Sequence, residues 1–197
     1  MKEKPEDIFR SYGGQMRMSE AIERGINRYM LYSLRDKGVI VQISRGVYRL
    51  VELSPISNPD LVTVGLRFPK AVICLVSALA YHDITTQIPH SISVAVTRES
   101  RLPSLDHPPL LVHRFSDKAY NSGIEEHEID GVAIKIYSAE KTLADCFKFR
   151  NKIGMDVIIE ALKLYKTRKK FNLGELHKYA KICRVERVMR PYLEVSV

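Results

Sequence analysis

Residues 15–50 read QMRMSEAIERGINRYMLYSLRDKGVIVQISRGVYRL, and their pattern decides the fold of the N-terminal part. Ser19 stands where a helix N-cap is expected, for a short helix reaching Arg24. Gly25 ends it, because glycine takes the left-handed conformation of a tight helix-to-helix turn at no steric cost. Asn27 supplies a second cap, for a helix running to about residue 37. On that helix Ile26, Met30, Leu31 and Leu34 face one way. Arg28, Tyr32 and Arg35 recur at i, i+4 and i+7 and form a stripe on the other face. Gly38 stops the helix, and residues 39–44 and 47–50 read as two strands joined at Arg45-Gly46. Helix, turn, helix and hairpin in this order make a winged helix-turn-helix pattern. That motif lays its second helix in the DNA major groove and its wing on the backbone.

A small helical subdomain with solvated charges would show the same order of elements. Three details favour DNA. The outward stripe has no acid at its three main positions, a tyrosine stands between two arginines, and the hairpin turn is basic. The residues expected to meet DNA are Arg28, Tyr29, Tyr32, Arg35 and Lys37 on the helix, with Arg45 and Arg49 on the hairpin.

Charge extends this reading. The formal net charge of +8 is uneven: +3 over residues 1–52, −3 over residues 53–147 and +8 over residues 148–197. A basic surface gains affinity for a polyanion by releasing its condensed counterions. The densest C-terminal cluster is Lys166, Arg168, Lys169 and Lys170, placed by the pattern in a loop between helices and expected to lengthen a DNA footprint. With 197 residues, 45% hydrophobic and 27% charged, the chain has the composition of a globular protein with one sizeable core or two small ones. No apolar run approaches the ~20 residues of a membrane helix. The opening MKEKPEDIFR mixes acids with bases and lacks the apolar stretch of a signal peptide. Cys74, Cys146 and Cys183 are odd in number and far apart, which predicts reduced, buried thiols in a cytoplasmic protein.

Beyond the hairpin, residues 52–58 (ELSPISN) read as a linker, dividing the chain into domains at 1–52 and 58–197. Asn58-Pro59 starts a helix running to about Arg67. Residues 71–84 are apolar and read either as one buried helix or as a strand followed by a helix. Residues 90–96, 110–115 and 132–137 are strand candidates, the last preceded by an acidic stretch and an Asp130-Gly131 turn. From Ser138 onward helices are expected: one capped by Ser138, one over about 156–165, one opened by Asn172 and Glu175, and a short last one through Met189. The fold class is therefore α+β, a winged helix-turn-helix followed by a mixed domain that ends in a helical bundle.

Catalytic chemistry is not visible. Six scattered histidines lack zinc spacing, and there is no P-loop, dinucleotide fingerprint or nucleophile elbow. Glu128 and Asp130 precede the strand holding Lys135, as in metal-dependent nucleases, but Ala133 stands where a second metal-binding acid is needed. Lys141 and Asp145, four residues apart on one helix, read as a surface ion pair. No metal, cofactor or enzymatic activity is expected.

Three blocks carry a family likeness: the winged helix ending in RGVYRL (45–50), PKAVICLVSALAYHDITTQIP (69–89) and YSAEKTLADCFKFRNKIGMDVIIEAL (137–162). In these the chain resembles the AbiEi antitoxins of type IV toxin–antitoxin, or abortive infection, systems. The resemblance implies a transcriptional autorepressor whose winged helix binds inverted repeats of double-stranded DNA in its own promoter. It also implies a C-terminal antitoxin domain with a basic surface toward DNA, and a nucleotidyltransferase-like toxin as functional partner. A different class of function, direct neutralisation of the toxin by contact, fits the same residues, as does a solitary transcriptional regulator without a toxin. The adjacent gene and a pull-down with its product separate them.

Overall fold

The computed structural model describes residues 3–101, 104–168 and 171–194 and contains both helices and sheets. Two compact units emerge from the packing. One holds the described residues up to Pro69 together with His127–Ile134; the other holds Lys70–Glu126 and the described residues from Lys135 onward. The first unit thus runs past residue 52 and takes in the next helix.

In the first unit, α1 (Pro5–Ser11), β1 (Gln15–Arg17), α2 (Met18–Glu23), α3 (Arg28–Asp36), β2 (Ile40–Ser44), β3 (Val47–Leu50) and α4 (Pro59–Arg67) follow one another. Ser19 is not the cap of α2. Arg17 occupies that position, its backbone N–H donating to Glu20 Oε2 at 2.8 Å and its guanidinium to Oε1 at 2.7 Å. A carboxylate three residues on gives a charge-assisted bond that starts the helix two residues earlier than a Ser19 cap would. Gly25 turns the chain at φ +87°, and Asn27 caps α3 by accepting from Met30 N at 2.8 Å. The apolar face of α3 lands as the spacing predicts: Ile26, Leu31 and Leu34 join Phe9, Met16, Ala21, Ile40, Tyr48 and Leu50 in one core, with Met30 packed against it. The hairpin acquires a third strand. β1 pairs with β3 from Gln15↔Arg49 to Arg17↔Val47, so β3 is the middle strand in the order β1-β3-β2. At the base of α4, Asn58 Oδ1 accepts from Leu61 N at 3.2 Å.

The remaining elements are β4 (Val72–Ile73), α5 (Leu75–Tyr81), β5 (Ile92–Thr97), β6 (Leu110–Phe115), α6 (Asp117–Tyr120), β7 (Ile124–Ile129), β8 (Val132–Tyr137), α7 (Ala139–Lys148), α8 (Arg150–Ile153), α9 (Met155–Lys166), α10 (Leu173–Cys183) and α11 (Glu186–Glu194). The apolar stretch after Pro69 resolves into a strand followed by a helix. The acidic stretch before the Asp130-Gly131 turn is itself a strand, β7. Strand order is β6-β5-β4-β8-β7, with β5 parallel to β6 from Ile92↔Leu110 to Thr97↔Phe115, β4 antiparallel to β5 and β4 parallel to β8. Ser138 caps α7 as expected, its Oγ accepting from Lys141 N at 3.2 Å. Asn172 does the same for α10 by accepting from Glu175 N at 3.0 Å.

Helix α7 runs through the middle of the second core, with Leu143, Ala144, Cys146 and Phe147 buried among Tyr137, Ile158, Leu162, Leu176 and Met189. Here one expectation fails. Lys141 and Asp145 are both fully buried and form an internal ion pair rather than a surface one. Asp145 also accepts from the Cys183 thiol at 3.1 Å, and the Lys141 ammonium lies 4.2 Å from the centre of the Tyr137 ring. The three cysteines are free and buried, and burial pushes the Cys183 thiol up to about 12, which keeps it protonated. Among the described residues, no helix is long and apolar enough to cross a membrane.

Candidate nucleic-acid interface

Burial of one face of α3 against the first core fixes what its other face presents. Arg28, Tyr29, Tyr32, Arg35 and Lys37 are all exposed, Tyr29 at 80%. From Arg28 to Arg35 the helix rises roughly 10 Å, about three base-pair steps of duplex DNA. The two arginines differ in readiness. Arg28 has no side-chain partner among the described residues, whereas the Arg35 guanidinium donates to Asp36 Oδ1 at 2.9 and 3.1 Å and lies 5.1 Å from the Tyr32 ring. An exposed pair of this kind is worth about 0–1 kcal/mol, so a phosphate or a guanine edge can displace it.

Arg45 is exposed at the turn between β2 and β3, and its carbonyl accepts from Arg67 Nη1 at 2.6 Å. Arg67 thereby brings a further cation to the turn. It lies 22 residues away in the chain, and no local pattern announces it. Arg49 belongs elsewhere. It is 7% exposed and donates from Nη2 to Ser54 O at 2.5 Å and from Nη1 to Leu53 O at 3.4 Å. As part of the middle strand it pins the chain leaving the sheet, and it is withdrawn from the interface. Arg49→Ala is expected to lower stability by roughly 1–3 kcal/mol, because the Leu53 and Ser54 carbonyls lose a charged donor, while the folded fraction binds DNA as before. Urea unfolding together with a titration of the folded protein checks this; equal stability with weakened DNA binding would return Arg49 to the interface.

Of the C-terminal cluster, Lys166 and Arg168 are described. Lys166 ends α9 instead of lying in a loop, and its Nζ donates to Tyr192 O at 3.1 Å. Burial lowers its pKa from the ordinary lysine value. Arg168 is half-buried, and Lys169 and Lys170 lie outside the described residues. Of the residues weighed for a nuclease, Asp130 and Lys135 are engaged locally. Asp130 Oδ2 accepts from Ser57 N at 2.8 Å and Ser57 Oγ at 2.9 Å, and Lys135 Nζ lies 3.8 Å from Glu126.

Residues 3–51 match the family model described as "Transcriptional regulator, AbiEi antitoxin". This is the family read from the sequence, and the matched segment spans α1 to β3. No curated protein matches the chain. The solved structure of the RV2827C protein from Mycobacterium tuberculosis is similar in fold, with a TM-score of 0.54 at 13% identity over 96% of this chain and 79% of that one. At that identity the likeness concerns the fold.

Proposed function

We propose that this protein is a sequence-specific DNA-binding repressor of its own operon that acts as the antitoxin of a type IV, abortive-infection toxin–antitoxin system. Residues 1–52 form a winged helix-turn-helix in this reading, with α3 as recognition helix and the β2–β3 turn as wing. The protein acts by binding and not by catalysis, in the cytoplasm. Inverted repeats in its promoter are its DNA target, and a nucleotidyltransferase-like toxin is its functional partner. The observation that carries the reading is the exposed Arg28–Tyr32–Arg35 face on a helix otherwise locked into a core, with Arg45 on the adjoining hairpin turn. Arginine on an exposed helix face is suited to bidentate recognition of guanine, and a basic turn to phosphate.

Footprinting of the full chain on the DNA upstream of its gene tests this directly. Protection of an inverted repeat is expected, and no protection at low salt would end the proposal. The wing has its own signature. Arg45→Ala is expected to weaken operator and random DNA about equally and to reduce the dependence of log K on log salt by about 0.9. An unchanged salt slope removes Arg45 from the interface.

A further inference from the structure

The second unit contains an open pocket of about 480 Å³ whose charged lining is entirely cationic: Arg98, Lys118, Lys148, Arg150, Lys181 and Arg184, with the Ser116 hydroxyl beside them. These residues come from four separate stretches of chain: just after β5, the start of α6, the α7–α8 junction and the C-terminal end of α10. Two of the six are engaged. Arg150 donates to Phe147 O at 3.1 Å, and Lys181 Nζ lies 3.8 Å from Glu186. The other four, Arg98, Lys118, Lys148 and Arg184, are exposed and make no contact ion pair among the described residues, although Lys148 also acts at longer range on the Asp145 carboxylate.

Gathering six like charges around one concavity opposes folding by mutual repulsion unless an anion occupies it. A solvated surface would disperse the cations or intersperse acids, and this lining holds no acid. The shape narrows the ligand. Duplex DNA is a convex rod that offers a concave pocket one or two phosphates at its rim. A pocket in the ordinary size range for small-molecule sites, roughly 300–1,000 Å³, encloses a compact anion. Four exposed cations outside any contact ion pair match a chain of three phosphoryl groups carrying roughly four negative charges near neutral pH. Arg184 strengthens the case for a designed rim. It holds a left-handed backbone at φ 59° at the end of α10, a position where glycine is the relaxed choice, and there it keeps a guanidinium in the lining.

We infer that this pocket binds a compact polyphosphate, the triphosphate of a nucleotide or an inorganic polyphosphate, separately from any DNA bound by the first unit. The inference does not depend on the DNA-binding proposal, since it concerns residues of the other unit.

Isothermal titration of the full chain with sodium tripolyphosphate, and in parallel with ATP without metal, tests it. Saturable binding near one per chain is expected, weakening as salt rises. Arg98→Ala/Lys118→Ala and, separately, Lys148→Ala/Arg184→Ala should each weaken it roughly tenfold or more, whereas Lys163→Ala, on an exposed face of α9, should not. Matching thermal melts establish that the variants fold. Tighter binding of ATP than of tripolyphosphate identifies a nucleotide as the source, and equal binding identifies the polyphosphate chain itself. No saturation at millimolar ligand, or unchanged affinity in both double variants, overturns the inference. Stoichiometric displacement of tripolyphosphate by a random-sequence duplex also overturns it, because the cations would then belong to a DNA footprint.

Discussion

Lys141→Ala is expected to cost about 3–5 kcal/mol of stability, because it leaves the Asp145 carboxylate fully buried without its counter-charge. Against a typical total of roughly 5–15 kcal/mol, that loss takes much of the second unit's margin. Asp145→Ala is expected to cost a similar amount by stranding the ammonium, which the Tyr137 and Phe115 rings at 4.2 and 5.0 Å support only weakly. The double replacement Lys141→Met/Asp145→Leu is expected to recover most of the loss, since two apolar side chains of similar volume need no partners. Acid should separate the single variants. Burial raises the Asp145 pKa above the ordinary carboxyl value, with Lys141 and the Cys183 thiol opposing it. Without Lys141 the opposition falls and the folded-state pKa rises further. A carboxyl whose folded pKa is raised contributes stability below its unfolded pKa and loses it as pH rises through the folded value. The deficit of Lys141→Ala relative to wild type should therefore shrink on acidification and grow toward neutrality. Urea unfolding at several pH values reads both effects. A deficit below about 0.5 kcal/mol at neutral pH would mean the pair is effectively solvated.

The spacing of Lys141 and Asp145 was legible in the sequence; their environment was not. What closes over Lys141 comes from far along the chain. Gly123, at φ +73°, approaches so closely that a Cβ there would stand 2.7 Å from Lys141 Cβ and 3.1 Å from the Tyr179 ring. Arg49 fails for a related reason. Alternation places it outward on a two-stranded hairpin, but the three-residue β1 pairs along β3 and buries all four of its residues. A segment as short as β1 shows no period of its own. Strand β7 was missed because its acids sit on a partly exposed strand at the end of the sheet order, where polarity imitates a loop. Where a segment's own pattern sufficed, the reading held: β6 and β8 coincide with the strand candidates at 110–115 and 132–137, and α3, α7 and α10 begin at Asn27, Ser138 and Asn172, each accepting the expected backbone N–H. The exposed stripe on α3 followed from helical period alone. The cationic pocket did not, because its lining is spread over four stretches that only the tertiary fold brings together.

The double variant Arg28→Ala/Arg35→Ala is expected to abolish operator recognition while leaving the fold intact. An arginine bidentate to guanine gives roughly 1–3 kcal/mol of discrimination, so two give about 2–6 kcal/mol, or roughly 30-fold to 10⁴-fold in affinity. The two single variants should not be equal. Arg28 reaches DNA without giving anything up, whereas Arg35 must leave Asp36, and that exchange subtracts about 0–1 kcal/mol from its gain. Arg28→Ala should be the more damaging, and each should relax preference at its own one or two base positions. Asp36→Asn carries the opposite sign: freeing Arg35 and removing a negative charge beside the duplex should tighten binding to operator and random DNA alike. Neither arginine belongs to the core around α3, so melting temperatures should stay within a few degrees of wild type. Gel-shift titrations against the operator and against point-substituted operators read the affinity and the base preference together. Wild-type affinity and selectivity in the double variant would remove α3 from the groove, and the repressor reading would have to find another face of the first unit.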